Sequence, residues 1–330
     1  MNYTAIRKAL LRWFEKEQRD LPWRRSHDPY AIWISEIMLQ QTRVAAVIPY
    51  YERFLRRFPD FHALGAASEE DVLAHWAGLG YYSRARNLQK AARQMVELGA
   101  FPREHAAIRE LAGVGDYTAG AVASIAFGKA EPIVDGNVVR VLSRLADRRA
   151  AATDRAGQSW CWSQAERLVR AARSPGVTNE ALMELGATVC KPANPQCANC
   201  PFQPECFAYR MALTASLPRP APKPETRKLH QVLLIPHRNG RFGIRRIPLG
   251  EWYAGMWGFV RQPYDSGAPE DVGVLRHTIT CHKITLTVRR CDAASQTQDL
   301  QWLTLEEIAS HSMPPVERKA LEMVVKSLDL

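Results

Sequence analysis

The sequence predicts two domains, an all-α domain followed by a small α+β domain. Its 330 residues exceed what a single hydrophobic core usually organises. Residues 1–213 repeat apolar side chains at helical spacing, as in "AIRKALLRWFEK", whereas short β-type runs such as "KITLTVRR" follow residue 228. Alternate prolines in "SLPRPAPKPETRK" favour an extended linker at residues 214–228. The second domain is therefore predicted to span residues 229–330.

The composition is that of an ordinary folded chain, with 46% hydrophobic and 24% charged residues. No apolar run approaches the roughly 20 residues that span a bilayer, so we expect no membrane insertion. The opening stretch "MNYTAIRKALLRWFEKEQRD" alternates apolar and charged residues like an amphipathic helix. A secretory signal would have a continuous apolar core instead, so we expect the protein in the cytoplasm.

The basic charge is concentrated in the first domain. The net charge is +10, yet residues 229–330 hold 12 Lys and Arg against 11 Asp and Glu. Residues 1–228 hold 32 against 23, and therefore carry +9 of the total. A basic domain favours a polyanionic partner, nucleic acid first, because neutralising phosphates gives affinity that is independent of sequence.

Glu36 is the first unusual residue along the all-α part. In "WISEIMLQQT", residues 33–42, it has apolar neighbours on both sides. Desolvation by such neighbours raises the pKa of a carboxyl above its ordinary value of about 4.3. The stretch is compatible with a proton donor, and equally with a surface glutamate on an amphipathic helix.

A glycine-containing turn is predicted in "LAGVGDYTAGAV", residues 111–122, where Gly113 and Gly115 flank a valine before a helical run. Backbone N–H groups exposed at such a turn, together with the helix dipole, bind phosphate. A plain turn between two helices is the alternative that the glycines alone leave open.

Asp135 directly precedes an amphipathic helix in "EPIVDGNVVRVLSR". An aspartate in this place is commonly a helix cap, and Asn137 could cap as well. The segment alone therefore does not distinguish a structural from a catalytic carboxylate.

Four of the seven cysteines lie close together in "CKPANPQCANCPFQPEC", residues 190–206. Such crowding in a chain without a secretory signal predicts a metal centre formed by Cys190, Cys197, Cys200 and Cys206, not disulfides. The single two-residue gap and the intervening prolines favour an iron-sulfur cluster over zinc, which remains the alternative. Cys161, Cys281 and Cys291 are expected to be buried thiols.

The second domain is predicted to contain strands at "QVLLIP", "RFGIRRIP", "WGFV" and "KITLTVRR". The proline-initiated stretch "PPVERKALEMVVKSL" predicts a closing helix. This part of the chain is thus predicted to be mixed α and β.

Several motifs in their order resemble one family. They are "LPWR", "DPYAIWISEIMLQQTRV", "GLGYYSRARNL", "LAGVGDYTAG", "VDGNVVRVLSR", "NEALMELGATVC" and the four-cysteine loop. Together they are similar to the MutY-type adenine DNA glycosylases of the helix-hairpin-helix repair superfamily. The similarity covers residues 6–210 and continues more weakly beyond them. It implies an all-α helix-hairpin-helix glycosylase domain with one [4Fe–4S] cluster, followed by a Nudix-like domain.

The resemblance also implies roles for individual residues. Glu36 matches the glutamate that protonates adenine and Asp135 the aspartate that faces the sugar. Tyr117 stands where the endonuclease III branch has a lysine that forms a Schiff base, which a phenol cannot do, so no strong lyase activity is expected. The remaining matches line the catalytic pocket (Asn137, Trp23, Arg24, Glu180), probe the duplex (Gln41, Leu79, Tyr81) or contact the DNA backbone (Gly113, Gly115).

The second domain matches the family less well. The family's 8-oxoguanine recognition loop commonly has Phe-Ser-His, whereas this chain has "HTITCHKITL". By this resemblance Ile279 and Thr280 replace the first two residues, and either Cys281 or His282 takes the place of the histidine. A catalytic Nudix series of glycine and clustered glutamates is missing from the sequence, so nucleotide hydrolysis by this domain is not expected.

The expected function is therefore hydrolysis of the N-glycosidic bond of adenine mispaired with 8-oxoguanine or guanine in double-stranded DNA. The resemblance implies a chromosome-associated bacterial protein that acts as a monomer. Two alternatives stay open at this point. One is a related glycosylase with another target base, and the other is a non-catalytic DNA-binding iron-sulfur protein.

Overall fold

The computed structural model describes residues 1–146, 154–219, 225–248, 250–291 and 299–328. The chain divides into two compact units. The first unit comprises residues 1–66 and 87–222, and the second comprises residues 67–86 and 223–330. Three of the four linker prolines, Pro220, Pro222 and Pro224, lie outside the described residues.

Helices form the first unit. They are α1 (Tyr3–Glu17), α2 (Pro29–Leu39), α3 (Val44–Arg57), α4 (Phe61–Ala66), most of α6 (Ser83–Leu98), α7 (His105–Arg109), α8 (Asp116–Phe127), α9 (Gly136–Leu145), α10 (Arg155–Arg170), α11 (Pro175–Thr188) and α12 (Phe207–Arg210). Short 3₁₀ turns cover Pro22–Arg24, Cys197–Asn199 and Gln203–Glu205. Helix α5 (Glu69–Trp76) and the start of α6 belong to the second unit.

Helix α2 is buried on all sides. Asp28 caps it by accepting a 3.0 Å hydrogen bond from the Tyr30 N–H, and Pro29 fits the first helical position because that residue needs no N–H donor. Every residue from Tyr30 to Met38 is buried. Helices α2 and α8 pack against each other. The carboxyl of Glu36 is therefore carried into the interior by an otherwise apolar helix.

A second part of the helical core joins α1, α9, α10 and α11. Leu10, Leu142, Ala165 and Leu182 are fully buried there. Cys190, Cys200 and Cys206 pack against the edge of this cluster. The core thus extends from the N-terminus of α9 to the cysteine loop.

The second unit contains a mixed β-sheet. Its strands are β1 (Arg227–Arg238), β2 (Arg241–Arg246), β3 (Trp257–Gly258), β4 (Val260–Pro263), β5 (Asp271–Ile279), β6 (His282–Cys291) and β7 (Gln301–Leu303). The order is β3-β2-β1-β6-β5, with β4 paired to β1 and β7 paired to β2. Strands β1 and β6 are parallel, whereas β5 and β6 form an antiparallel hairpin in which Ile279 is opposite His282.

One face of this sheet is covered by α14 (Pro315–Ser327), near which lies the short helix α13 (Leu305–Ala309). Leu233, Leu286, Val288 and Val324 are fully buried between them. The predicted fold class is confirmed: a helical domain precedes a domain with a mixed sheet. Among the described residues, no helix combines the length and apolarity that a membrane span requires.

Candidate active site

A cavity of about 450 Å³ opens among α2, α8, α9, α11 and the turn before α2. This volume falls in the range of pockets that enclose a small organic molecule. Eight of the residues predicted from the sequence line it: Trp23, Arg24, Glu36, Gln41, Tyr117, Asp135, Asn137 and Glu180. Residues far apart in the chain are therefore brought to one cavity in the first unit.

Glu36 is buried, with 5% of its surface exposed. Burial raises its pKa from 4.5 to about 7, partly opposed by a hydrogen bond with Tyr117. The nearby carboxyls of Glu180 and Asp135 contribute to this rise. The Glu36 Oε2 atom has no hydrogen-bond partner among the described residues. This carboxyl can therefore hold a proton near neutral pH and has an oxygen left for a ligand.

Tyr117 lies at the first turn of α8, directly beside Glu36. Burial and the neighbouring carboxyls of Glu36 and Asp135 raise the pKa of its phenol well above the ordinary value of 10. The hydroxyl oxygen also lies 3.2 Å from the Met183 sulfur. The residue is therefore a neutral hydrogen-bonding group that stays protonated at any pH where the site would work.

Asp135 caps α9, as its position in the sequence allows. Its Oδ1 accepts a 2.8 Å hydrogen bond from the Val138 N–H, and its Oδ2 accepts a 2.7 Å bond from Asn137 Nδ2. Burial raises the Asp135 pKa, and these bonds oppose that shift only in part. Asp135 therefore both caps α9 and lines the cavity.

Arg140 holds Asn137 in place. Its Nη2 donates to Asn137 Oδ1 at 2.7 Å and to the Gly186 carbonyl at 2.8 Å, and its Nε donates to the Cys190 carbonyl at 2.6 Å. Gly186 lets α11 approach α9 here, because a Cβ on it would lie 2.5 Å from the Asn137 Cβ. The polar end of the cavity is therefore tied to the start of the cysteine loop.

Acidic residues of α11 and two arginines form another side of the cavity. Glu184 accepts hydrogen bonds of 2.7 and 2.8 Å from Arg19 and one of 3.0 Å from Arg24. Burial alone would raise the Glu184 pKa, but these arginines hold it below its ordinary value. Arg24 also lies 3.4 Å from Glu180, whose pKa stays raised by burial. Arg24 is thus fixed between an ionised and a more easily protonated carboxyl.

The remaining predicted residues of the cavity are Trp23 and Gln41. Trp23 is buried and its ring meets the Tyr51 ring edge-on, with centroids 5.5 Å apart. Gln41 follows the end of α2 with a φ of 57°, a left-handed conformation that costs a non-glycine residue energy. The role of Gln41 in probing the duplex stays a prediction.

The predicted glycine turn connects α7 to α8. Gly113 has a φ of 75°, and a Cβ on it would lie 2.6 Å from the Asn87 Cβ, so no other residue fits. Gly115 precedes α8, and no side chain in the described part of the chain caps that helix. The backbone N–H groups of this exposed turn are therefore suited to bind a phosphate.

The other predicted residues belong to the second unit. Leu79 is buried, whereas Tyr81 is 50% exposed and has a φ of 50°. Thr280 is exposed at the tip of the β5–β6 hairpin with a φ of 51°. The ring of His282 lies 5.3 Å from that of Trp252, and the Cys281 sulfur lies 3.7 Å from His282 Nδ1. Both candidates for the third position of the predicted recognition loop are therefore at this tip.

The four clustered cysteines line one small cavity together with apolar groups of Val189, Pro195 and Tyr209. The pKa of Cys200 is raised to about 12, mainly by burial and in part by the other three thiols, which indicates that the four sulfurs lie close together. Arg144 donates to Cys190 Sγ at 3.4 Å and to two carbonyls of the loop. A sulfur-ligated centre fits this donor set, although no group among the described residues has the arrangement of ligands for a metal ion.

Sequence reasoning missed Arg19, Arg140 and Glu184. Glu184 follows Glu180 by one helical turn, a signal that could have been used. Arg140 follows Asn137 by three residues on the same helix, which also predicts proximity. Arg19 gives no such signal, since its partner Glu184 is remote in sequence.

Comparisons with known proteins show which family the chain resembles. Residues 34–163 match the family model described as HhH-GPD superfamily base excision DNA repair protein. The adenine DNA glycosylase of Mus musculus is 49% identical over 218 residues, covering 63% of this chain and 42% of that protein. The chain therefore spans less than half the length of the mouse relative.

A bacterial relative is covered more fully. The adenine DNA glycosylase of Buchnera aphidicola subsp. Acyrthosiphon pisum is 36% identical over 236 residues, which are 70% of this chain and 67% of that protein. A solved thermostable thymine-DNA glycosylase is 30% identical with a TM-score of 0.58, covering 63% of this chain and 97% of that one. The chain belongs to the adenine DNA glycosylase family, within the HhH-GPD superfamily of base excision DNA repair proteins.

Proposed function

We propose that this protein is a monofunctional DNA glycosylase that removes adenine opposite 8-oxoguanine or guanine in double-stranded DNA. The observation that carries the proposal is the buried Glu36 carboxyl, with a pKa of about 7, in the same cavity as Asp135. In this proposal residues 1–213 form the glycosylase domain and residues 229–330 the domain that recognises 8-oxoguanine. The names of the mouse and Buchnera relatives support adenine as the target.

Adenine must leave the base stack before it can be cleaved, at a cost of roughly a few kcal/mol. The cavity of about 450 Å³ has room for one base. Trp23 supplies an apolar wall, whereas Arg24 and Glu180 offer a donor and an acceptor for the polar edge of the base. A pyrimidine would leave some of these groups unpaired, which favours adenine.

Glu36 then donates a proton to the adenine ring, N7 being the accessible nitrogen. A carboxyl with a pKa near the working pH combines a substantial protonated fraction with an adequate driving force for transfer. Tyr117, which stays protonated, orients this carboxyl by hydrogen bonding. Protonation makes adenine a better leaving group as the glycosidic bond breaks.

Asp135 acts on the sugar. Loss of the base leaves an oxocarbenium-like ring, whose positive charge an ionised carboxylate stabilises. The bonds from the Val138 N–H and Asn137 Nδ2 favour the ionised form of Asp135 against the effect of burial. The geometry is compatible with electrostatic stabilisation, activation of water and covalent attack alike. Water completes the hydrolysis because Tyr117 offers no amine for a Schiff base.

Recognition outside the cavity involves phosphates and the opposite base. The exposed turn of Gly113 and Gly115 and the +9 charge of residues 1–228 support non-specific contact with the DNA backbone. The hairpin tip at Thr280, with Cys281 or His282, is the candidate for contact with 8-oxoguanine. The exposure of Thr280 supports this assignment.

Cys190, Cys197, Cys200 and Cys206 would hold one [4Fe–4S] cluster. Bound there, such a cluster would supply a rigid sulfur-ligated centre with one-electron redox chemistry. Arg144, which contacts Cys190 Sγ and loop carbonyls, would compensate part of the negative charge of the thiolates.

The experiment that tests the proposed function is a cleavage assay with three duplexes, containing A:8-oxoguanine, A:G or T:G. We expect base release from the two adenine mispairs, and strand breaks only after alkali. Release from T:G alone would identify a related glycosylase with another target base. DNA binding without release from any duplex would identify a non-catalytic protein, and strand breaks without alkali would contradict monofunctional action.

A further inference from the structure

A loop expected to contact DNA is anchored in the sheet-containing unit. Residues 67–86 cluster with residues 223–330, although their helical sequence resembles the first domain. This segment contains α5, the loop Gly78–Tyr82 and the start of α6. Leu79 and Tyr81, which resemble residues that probe the duplex, therefore lie on the second unit. The contacts of this unit decide how firmly they are held.

The loop Gly78–Tyr82 is tied to its flanking helices. Trp76 Nε1 donates to the Gly80 carbonyl at 3.0 Å, and Arg84 Nη2 donates to the Leu79 and Gly80 carbonyls at 3.3 Å. The Arg84 guanidinium lies 5.3 Å from the Trp76 ring and 5.4 Å from the Tyr81 ring. These contacts hold Tyr81 half-exposed in its left-handed conformation.

Both flanks of this loop bind residues 250–257, a segment we call the brace. Before the loop, Glu70 accepts a 3.2 Å hydrogen bond from Trp257 Nε1, and a 3.0 Å bond from Arg246 just outside the brace. After the loop, Arg86 donates to the Ala254 carbonyl. The Tyr82 ring meets the Tyr253 ring at 72°, with centroids 6.1 Å apart. The loop is therefore fixed from both sides by one segment.

The brace also contacts the tip of the β5–β6 hairpin. The Trp252 ring lies 5.3 Å from that of His282, next to Thr280 and Cys281. Trp252 and Tyr253 are consecutive, so one short stretch contacts the hairpin tip and the loop Gly78–Tyr82 together. Tyr253 has a φ of 65° and lies 5.5 Å from the Arg261 guanidinium. A strained, multiply anchored residue at this junction indicates a functional constraint on the backbone.

We propose that the brace is a positioning segment for recognition of the base opposite adenine. It fixes the spacing between the loop Gly78–Tyr82 and the hairpin tip, so that both meet the same duplex in register. Trp252, Tyr253 and Glu70 are the positioning residues, acting through Tyr81 and the hairpin tip. This inference rests on the proposed function, because it assigns those two elements to the duplex.

The test compares Tyr253→Ala and Trp252→Ala with the wild type in two measurements. The first is hydrogen–deuterium exchange of amides 78–82 in the free full-length protein. The second is the ratio of single-turnover adenine-release rates from A:8-oxoguanine and A:C duplexes. We expect faster exchange of amides 78–82 in Tyr253→Ala and a rate ratio reduced about tenfold in both variants. The double variant should reduce the ratio no more than either single variant does, because the two residues act as a unit.

Controls separate positioning from loss of structure. Glu70→Gln removes the charge that pairs with Arg246. The matched control is Glu307→Gln, which removes the charge that pairs with Arg241 elsewhere in the same unit. The two glutamate side chains are similarly exposed, Glu70 by 37% and Glu307 by 47%. Glu70→Gln should lower the ratio and Glu307→Gln should not. Tyr253→Phe keeps the ring and should restore it. General destabilisation would lower both rates together and leave the ratio unchanged.

An unchanged ratio in Trp252→Ala and Tyr253→Ala, or wild-type exchange of amides 78–82 in Tyr253→Ala, would overturn the inference. Failure of the proposed function gives a different result, because the wild type would then release adenine from neither duplex. The exchange measurement needs no DNA, so wild-type exchange in Tyr253→Ala would overturn the brace in that case as well.

Discussion

At the scale of single residues, the site depends on acids held at different pKa values. Glu36 has apolar surroundings and an oxygen without a partner among the described residues, and its pKa rises to about 7. Glu184 receives three side-chain hydrogen bonds from arginines and its pKa is lowered. Carboxyls that line one cavity can thus differ in protonation state at the same pH.

The raised pKa of Glu36 has a consequence for stability. The folded protein binds the proton more tightly than the unfolded chain, so this stabilisation is complete below 4.5 and is lost as the pH rises through about 7. The amide of Glu36→Gln does not titrate. Relative to the wild type, the variant should therefore gain up to about 3 kcal/mol in free energy of unfolding between roughly pH 5 and pH 8.

Chemical denaturation at the two pH values measures this gain. Glu306→Gln, at an exposed position, is the matched control. Its effect on the free energy of unfolding should be small and equal at the two pH values. A stability difference for Glu36→Gln that does not vary with pH would contradict the raised pKa.

Tyr117 determines whether an amine is available to the sugar. Tyr117→Lys would bring a primary amine to a cavity that also contains Glu36 and Asp135. We expect the variant to form a Schiff base with the abasic sugar, which borohydride traps as a covalent protein–DNA product. Tyr117→Phe, without an amine, should give no product. Complete absence of trapping with the lysine variant would argue against contact between residue 117 and the sugar.

At the scale of elements, α9 links the catalytic cavity to the cysteine loop. Asp135 and Asn137 are at its N-terminus, Arg140 is in its middle, and Arg144 near its C-terminus contacts Cys190 Sγ. Arg140 contacts both regions, through Asn137 Oδ1 and the Cys190 carbonyl. The orientation of Asn137, and through it of Asp135, therefore depends on where the loop begins.

Removing the Arg140 guanidinium should impair chemistry more than DNA binding. In Arg140→Met the stem is kept, but Asn137 Oδ1 and two carbonyls lose their donor. We expect a single-turnover rate about tenfold or more below the wild type, as for other residues that orient a catalytic group. Arg170→Met, which removes an exposed pair on α10, is the control. A wild-type rate in Arg140→Met would show that Asn137 keeps its orientation unaided.

The sequence predicted some elements and missed others for physical reasons. Helix α14 was predicted because a proline start and helical spacing agree. Strand β5 was not predicted. Its pairing with β6 is irregular near Gly273 and the apolar Val274 is exposed, so the sequence lacks a clear alternation of apolar and polar residues there. Spacing indicated the cysteines and the resemblance of the surrounding motifs indicated Glu36, whereas the pairing of Arg19 with Glu184 depends on tertiary packing alone.

At the scale of the whole molecule, composition and periodicity were sufficient for the fold class. They could not predict that residues 67–86 cluster with the second unit, because helical spacing shows which face of a helix is buried but not which core covers it. The excess of basic residues in the first part of the chain indicates a polyanionic binding partner and carries no information about the fold.

The cofactor is tested on the intact chain. The purified protein should have a broad visible absorption band and contain iron and inorganic sulfide in equal amounts, lost together in Cys200→Ser. Cys161→Ser, which removes a buried thiol outside the loop, should keep both. A colourless protein with stoichiometric zinc would contradict the assignment of an iron-sulfur cluster.

The central claim is that Glu36 delivers the proton that releases adenine. The most direct measurement is the single-turnover rate of adenine release from an A:8-oxoguanine duplex by the wild type and by Glu36→Gln, with DNA affinity measured in parallel. The account predicts that release is abolished in the variant while the affinity stays close to that of the wild type. Release at an undiminished rate would contradict it.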